Sequence, residues 1–153
     1  MSSAVKAGAD AGSLSLGPLA GILGFHLARA SAVTGALFER HVGEPLGLRK
    51  AEFSLLMLLL ANQALPPKQL ARALAVTAPA LTQLLDRLQQ RGLLRRQPNP
   101  RDGRSQHVVL SEAGRQLAAQ AAASAAPMEA DLRERLSAAE QAMLVELLDK
   151  LGG

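Results

Sequence analysis

The sequence predicts a mainly α-helical chain with one small β-hairpin, and three observations predict it. Leu and Ala, both strong helix formers, dominate its 153 residues, 48% of which are hydrophobic. Apolar residues recur at helical spacing along most of the chain. The exception is the stretch 93–110. There Leu93-Leu94-Arg95-Arg96 and Val108-Val109-Leu110 flank a turn-rich tip, Pro98-Asn99-Pro100-Arg101-Asp102-Gly103-Arg104. Two short apolar runs around such a tip form a hairpin pattern, here with arginines at its end.

Taken in order, residues 1–17 are small and polar and read as a disordered lead-in. Pro18 suits the first turn of a helix. Leu19, Ile22, Leu23, Ala30, Val33 and Leu37 carry that helix to about His41–Gly43, and Glu44-Pro45-Leu46-Gly47 reads as a turn. Residues 50–62 form a second helix, with Phe53, Leu56, Met57 and Leu60 as its inner stripe; Leu55, Leu58 and Leu59 make it apolar nearly all round, so it is expected to be buried on several sides. Pro66-Pro67 ends it and opens a short helix over 67–74, with Leu70, Ala71 and Leu74 inward. After a tight turn at Ala75-Val76, Thr77 is an N-cap and Pro79 is tolerated in the first turn of a helix reaching about Arg91. That helix buries Leu81, Leu84, Leu85 and Leu88, and Gly92 suits the position just past its end.

Two helices separated by so short a break make a helix-turn-helix, and the hairpin that follows makes it winged. Beyond the hairpin, Ser111 caps an alanine-rich helix running through Ala126, which Pro127 is expected to kink or divide. Ser137-Ala138-Ala139-Glu140 is a capping box opening a last helix, whose apolar positions are Leu136, Met143, Leu144, Leu147, Leu148 and Leu151. The predicted organisation is one winged-helix domain over 18–153. Residues 49–110 are its DNA-binding module. The helices of 18–48 and 111–153 carry long Leu/Ala faces that one small core need not consume, which suits a homodimer.

Composition narrows the function. The chain has no Cys, which removes disulfides, thiolate metal sites and thiol redox sensing. Its aromatic side chains are three Phe, few for a protein that stacks single-stranded bases. The longest apolar run, Phe53 to Ala61, is too short for a bilayer, and no signal-peptide cleavage pattern is evident, so the cytoplasm is the expected location. Net charge is +4, but residues 49–104 hold ten Lys or Arg against three carboxylates, a balance of +7. A positive field concentrated in one module suits a polyanion.

The helix that starts at Thr77 presents Thr77, Ala78, Ala80, Thr82 and Gln83 near its N-terminus. Free amides there suit phosphate, Gln pairs with adenine, and Ala and Thr methyls touch the thymine methyl in a major groove. Arg87, further along, reaches a phosphate or pairs with a nearby acid. At the hairpin tip Arg101 and Arg104 flank Asp102, and a wing of this kind lowers arginine into a minor groove. Asp102 is expected to hold an arginine through a charge-assisted hydrogen bond.

The order Thr77-Ala78-Pro79-Ala80-Leu81-Thr82-Gln83-Leu84-Leu85-Asp86-Arg87-Leu88, then Arg91-Gly92-Leu93-Leu94-Arg95-Arg96, then Arg101-Asp102-Gly103-Arg104-Ser105, Val108, Leu110-Ser111 and Gly114, resembles the multiple-antibiotic-resistance regulator (MarR) family. The likeness extends over roughly 18–151. It implies a dimeric winged-helix repressor of bacteria that binds double-stranded DNA, with Asp102 and Arg104 as the wing pair and Thr77–Gln83 as the start of the recognition helix. Where the family often has Asp-Arg, this chain has Asn99-Pro100, which stiffens the wing and removes one cation.

The resemblance also implies a pocket for a small effector, an aromatic acid in many members. Candidates to line it are Phe25, His26, Arg29, Phe53 and Met57; equally, His26 shares a stripe with Ile22 and Leu19 and fits a hydrogen-bonded core or interface histidine. The rival readings are a metal-responsive regulator, a winged-helix protein-interaction module and an enzyme. His26, His41 and His107 lack metal-ligand spacing, so no metal or other cofactor is expected. The +7 module opposes a protein-binding role, and no nucleophile, phosphate loop or paired carboxylates mark an enzyme.

Overall fold

A computed structural model describes residues 14–153; the first thirteen residues of the lead-in read from the sequence lie outside it. The described residues fall into two compact units, 14–34 and 35–153.

In the first unit a 3₁₀ helix at Gly17–Gly21 carries Pro18 in its first turn. Ile22 is extended, and α1 (Leu23–Phe38) starts after it. The helix expected to begin at Pro18 is thus broken. Gly21 and Gly24 beside the break give little helical support.

In the second unit the end of α1 does not turn away at His41–Gly43 as the sequence suggests. The chain passes through a π-helical turn, Glu39–Gly43, into a helical turn, Glu44–Leu46, and stops at Gly47, which takes a left-handed conformation. Pro45 lies at the start of that last segment, directly after the π turn. The π turn is tied to the C-terminal part of the chain by His41, whose Nε2 lies 2.8 Å from Asp131 Oδ2, with Arg40 3.7 Å from the same oxygen. The hydrogen bond with His41 is the main reason the Asp131 carboxyl is held below its ordinary pKa.

The winged module follows as α2 (Lys50–Asn62), β1 (Ala64–Leu65), α3 (Pro67–Ala73), α4 (Ala78–Gln90), β2 (Leu94–Pro98) and β3 (Gln106–Leu110). Its core is built from leucines: Leu55, Leu56 and Leu59 of α2, Leu70 of α3, and Leu81, Leu84, Leu85 and Leu88 of α4 are all buried. The inner stripe of α2 therefore differs from the expected one. Leu55, Leu56 and Leu59 face inward with Glu52, whereas Phe53 and Met57 are half-buried and Leu60 is exposed. A helix apolar nearly all round has no single periodic stripe, so its neighbours decide which leucines turn inward.

The three strands form an antiparallel sheet ordered β1-β3-β2. β2 and β3 make the expected hairpin, with Leu94 opposite Leu110 and Pro98 opposite Gln106. β1, which the sequence reading lacks, pairs Ala64 with Val109 and Leu65 with Val108. It places β3 between two strands, and Val108, Val109 and Leu110 are all buried.

Ser111 caps α5 (Glu112–Arg133), accepting from the Gly114 amide at 3.0 Å. Pro127 lies inside α5 without dividing it. The buried face of this helix is made of small residues, Gly114, Ala118 and Ala121. A Cβ at position 114 would run into the Leu93 carbonyl. Ser137 and Glu140 form the expected capping box of α6 (Ala138–Gly152).

Candidate nucleic-acid interface

Two elements of the module project polar and basic groups to solvent: the start of α4 and the tip of the β2–β3 hairpin. α4 is amphipathic in register. Leu81, Leu84, Leu85 and Leu88 fix one face in the core, so Thr77, Ala78, Ala80, Thr82 and Gln83 are exposed on the others. Thr77 Oγ1 accepts from the Ala80 amide at 3.3 Å and so caps the helix as expected. Thr82 Oγ1 donates to the Ala78 carbonyl at 3.0 Å, which steadies its side chain against the helix. The sharp turn before α4 is enforced by Ala75, held at a φ of 53° that costs a residue with a Cβ roughly 1–2 kcal/mol. Gly92, at a φ of 70°, ends the helix without that cost.

The wing is fastened to this helix at its base. Arg96 of β2 lies 2.7 Å from Asp86 and donates to Gln89, both on α4. At the tip, Asn99 and Ser105 close the loop: the Asn99 amide donates to the Ser105 carbonyl, and Asn99 Nδ2 to Ser105 Oγ at 3.1 Å. Asn99 Oδ1 also accepts from the Arg101 amide, so Asn99 folds the turn that Pro100 stiffens. Asp102 does not hold a guanidinium group. Its Oδ1 accepts from the backbone amide of Arg104 at 3.1 Å, a local turn contact typical of aspartate. The side chains of Arg101 and Arg104 are left exposed, with no carboxylate within 4.0 Å among the described residues.

Arg87 meets an acid, one of its two expected roles. Its Nε lies 3.7 Å from Glu52 Oε1. Sequence reasoning passed over Glu52, which is buried; its one signal was an acid three residues after Arg49 at a helix start, where it reaches back to the Arg49 amide.

The effector candidates divide between the two units. Phe25, His26 and Arg29 form a small cluster in the first: the His26 ring meets Phe25 edge-on at 5.5 Å, and the Arg29 guanidinium stands 5.7 Å from the Phe25 centroid. His26 is exposed, and its Nε2 lies 3.0 Å from the Ala20 carbonyl oxygen. In the second unit Phe53 meets Phe38 edge-on at 5.7 Å, and Phe53 and Met57 pack against the leucine core. Among the described residues no three His, Asp or Glu gather to hold a metal ion, and no helix is long and apolar enough to cross a membrane.

Comparison with known proteins gives this geometry a context. The family model described as MarR family matches residues 46–105. The chain is 34% identical over 130 residues to an HTH-type transcriptional repressor of Mycobacterium tuberculosis, covering 85% of this chain and 93% of the relative. It is similar to a mutant E. coli MarR complexed with operator DNA, with a TM-score of 0.79, 29% identity and coverage of 90% of this chain and 99% of the other. It is also similar to Bordetella bronchiseptica BpsR, whose DNA binding is regulated by 6-hydroxynicotinic acid, with a TM-score of 0.75, 27% identity and coverage of 86% and 98%.

Proposed function

Because this chain belongs to the MarR family of transcriptional regulators, we propose that it acts as a ligand-responsive repressor, released from a pseudo-palindromic operator by a small aromatic acid. It is a DNA-binding winged-helix regulator and not an enzyme. The observation that supports the DNA contacts is the pairing of an exposed, capped α4 N-terminus with two wing arginines that meet no carboxylate within 4.0 Å among the described residues.

In this reading Thr77, Ala78, Ala80, Thr82 and Gln83 enter the major groove. Gln83 has the donor and acceptor to pair with an adenine edge, and the methyls of Ala80 and Thr82 suit thymine. Arg101 and Arg104 reach the neighbouring minor groove, where the potential is most negative. Asp102 shapes the tip that aims them, and Arg87 approaches the phosphates from the far half of α4. The module of 49–110 is presented twice by a cytoplasmic homodimer built on the helices of 18–48 and 111–153, spacing two α4 helices about 10 bp apart. The exposed apolar side chains of Leu19, Ile22 and Leu23 support such a role for the first stretch, and those of α6 for the second.

The regulation of BpsR by an aromatic acid supports an effector of that class. In the first unit Arg29 would pair with its carboxylate beside Phe25 and His26; Phe53 and Met57 of the second unit are apolar candidates in their own right. An effector that binds one spacing of the two modules better than the other shifts the population away from DNA.

Footprinting of genomic DNA with the full chain, followed by affinity measurement on the protected site, tests this. Arg104→Ala is expected to cost about 1–3 kcal/mol of binding free energy. Unchanged affinity would remove Arg104 from the groove. An aromatic acid that leaves the footprint intact at saturating concentration would count against its class as effector.

A further inference from the structure

The far half of α4 carries a second basic feature, of which the recognition scheme uses Arg87 alone. The side chain of Glu52 is only 5% exposed. Its Oε2 accepts from the Arg49 amide at 2.9 Å and lies 3.4 Å from Arg91 Nη1. Arg87 Nε, 3.7 Å from Glu52 Oε1, is buried and has no hydrogen-bond acceptor. Gly47, Arg49, Glu52, Arg87, Gln90 and Arg91 line an open cavity of about 380 Å³. Three arginines and one carboxylate line it, so the lining carries two unmatched positive charges. No aromatic or large aliphatic side chain lines the cavity, which is unlike a site for an aromatic effector.

The position of this cavity along α4 matters as much as its charge. Arg87 and Arg91 stand seven and eleven residues beyond Ala80, close to two and three whole turns. They therefore continue the stripe that Ala80 and Gln83 begin. A helix whose first turns lie in a groove carries its later turns toward the sugar-phosphate backbone.

We propose that this cavity is a phosphate clamp. Arg49, Arg87 and Arg91 grip one phosphodiester of the strand bordering the groove that α4 enters. Glu52 is the positioning residue: pinned by the Arg49 amide, it holds Arg87 and Arg91 toward the opening. The clamp rests on the DNA-binding reading given above. It supplies affinity without base preference, because a phosphate carries no sequence information.

The test is fluorescence anisotropy of a labelled mixed-sequence duplex with the full chain across a series of KCl concentrations. Wild type is expected to lose affinity steeply with salt. Arg91→Ala and Arg49→Ala are each expected to lower that slope by about one and to weaken binding on every duplex, while Arg91→Lys keeps the slope. If Arg91→Ala fails to fold, Arg49→Ala carries the test, because its guanidinium has no carboxylate within 4.0 Å among the described residues. A folded alanine variant with the wild-type slope overturns the clamp and leaves DNA binding standing. Wild-type protein with no salt-dependent binding overturns both. The second arm adds inorganic phosphate at constant ionic strength and follows thermal unfolding. Phosphate that stabilises wild type but not the Arg49→Ala/Arg91→Ala variant, with the DNA slope unchanged in that variant, assigns the cavity to a free anion and overturns the clamp.

Discussion

Helices α4 and α6 are similar in length, thirteen and fifteen residues, and treat their leucines in opposite ways. On α4, Leu81, Leu84, Leu85 and Leu88 are at most 3% exposed. On α6, Met143, Leu144, Leu147, Leu148 and Leu151 are 40–59% exposed, although they too fall at helical spacing. The position of α4 is thus fixed within its own module, which suits a helix that must present particular side chains at a particular angle. An apolar stripe as open as that of α6 marks an interaction surface, and the homodimer proposed above would cover it. One helix is placed by its own core, and the other leaves its apolar stripe exposed.

The sharpest way to break this contrast is at the α4 core. Leu88→Ala is expected to cost about 2–5 kcal/mol in urea unfolding and to abolish DNA binding with it. Next in size is the open stripe. Leu144→Glu with Leu148→Glu is expected to leave the module's helical signal intact while sedimentation returns the monomer mass, and a dimer of unchanged mass would put the interface elsewhere. Ser111→Ala removes the α5 cap and is expected to cost ~1 kcal/mol without altering dimer mass. The smallest effect concerns pH. Asp131 has a depressed pKa in the folded chain, so its contribution is full above the ordinary aspartate range and is lost as pH falls through the depressed value. Asp131→Asn is expected to flatten the acid limb of a stability-pH curve; an unaltered limb would show that the His41 contact does not couple to folding.

Much of this was legible in the residues. Thr77, Pro79, the four leucines of α4 and Gly92 each carry a local signal, and those signals agree, so the helix came out within a residue of its ends. The hairpin was legible because Pro98 to Gly103 concentrates turn formers between two apolar runs. What failed had no local cause. β1 is two residues long and exists only because β3 is there to pair with it. The inward leucines of α2 were chosen by packing, since nearly every face of that helix is apolar. The end of α1 was misread because Pro45 and Gly47 signal a stop, and nothing local announces a π turn that carries the helix on to Pro45. At the interface, Arg101 and Arg104 stand exposed as expected. The pairing of Arg87 with Glu52 joins residues far apart in sequence and needed the fold to be seen.

The glycine at the start of α5 has a consequence for any search of sequence space. The helix presses on the Leu93 carbonyl, Ser111 Oγ donates to the Gly92 carbonyl, and the Ser111 amide donates to Leu93. The root of the wing and the root of α5 are therefore one joint. In a saturation library selected for folded protein, position 114 should return glycine alone, while Gly103, with open space around its Cβ position, should accept many residues. Two glycines eleven residues from each other on the map would then differ in kind: one is a dimension of the scaffold, and the other is an open position at the wing tip.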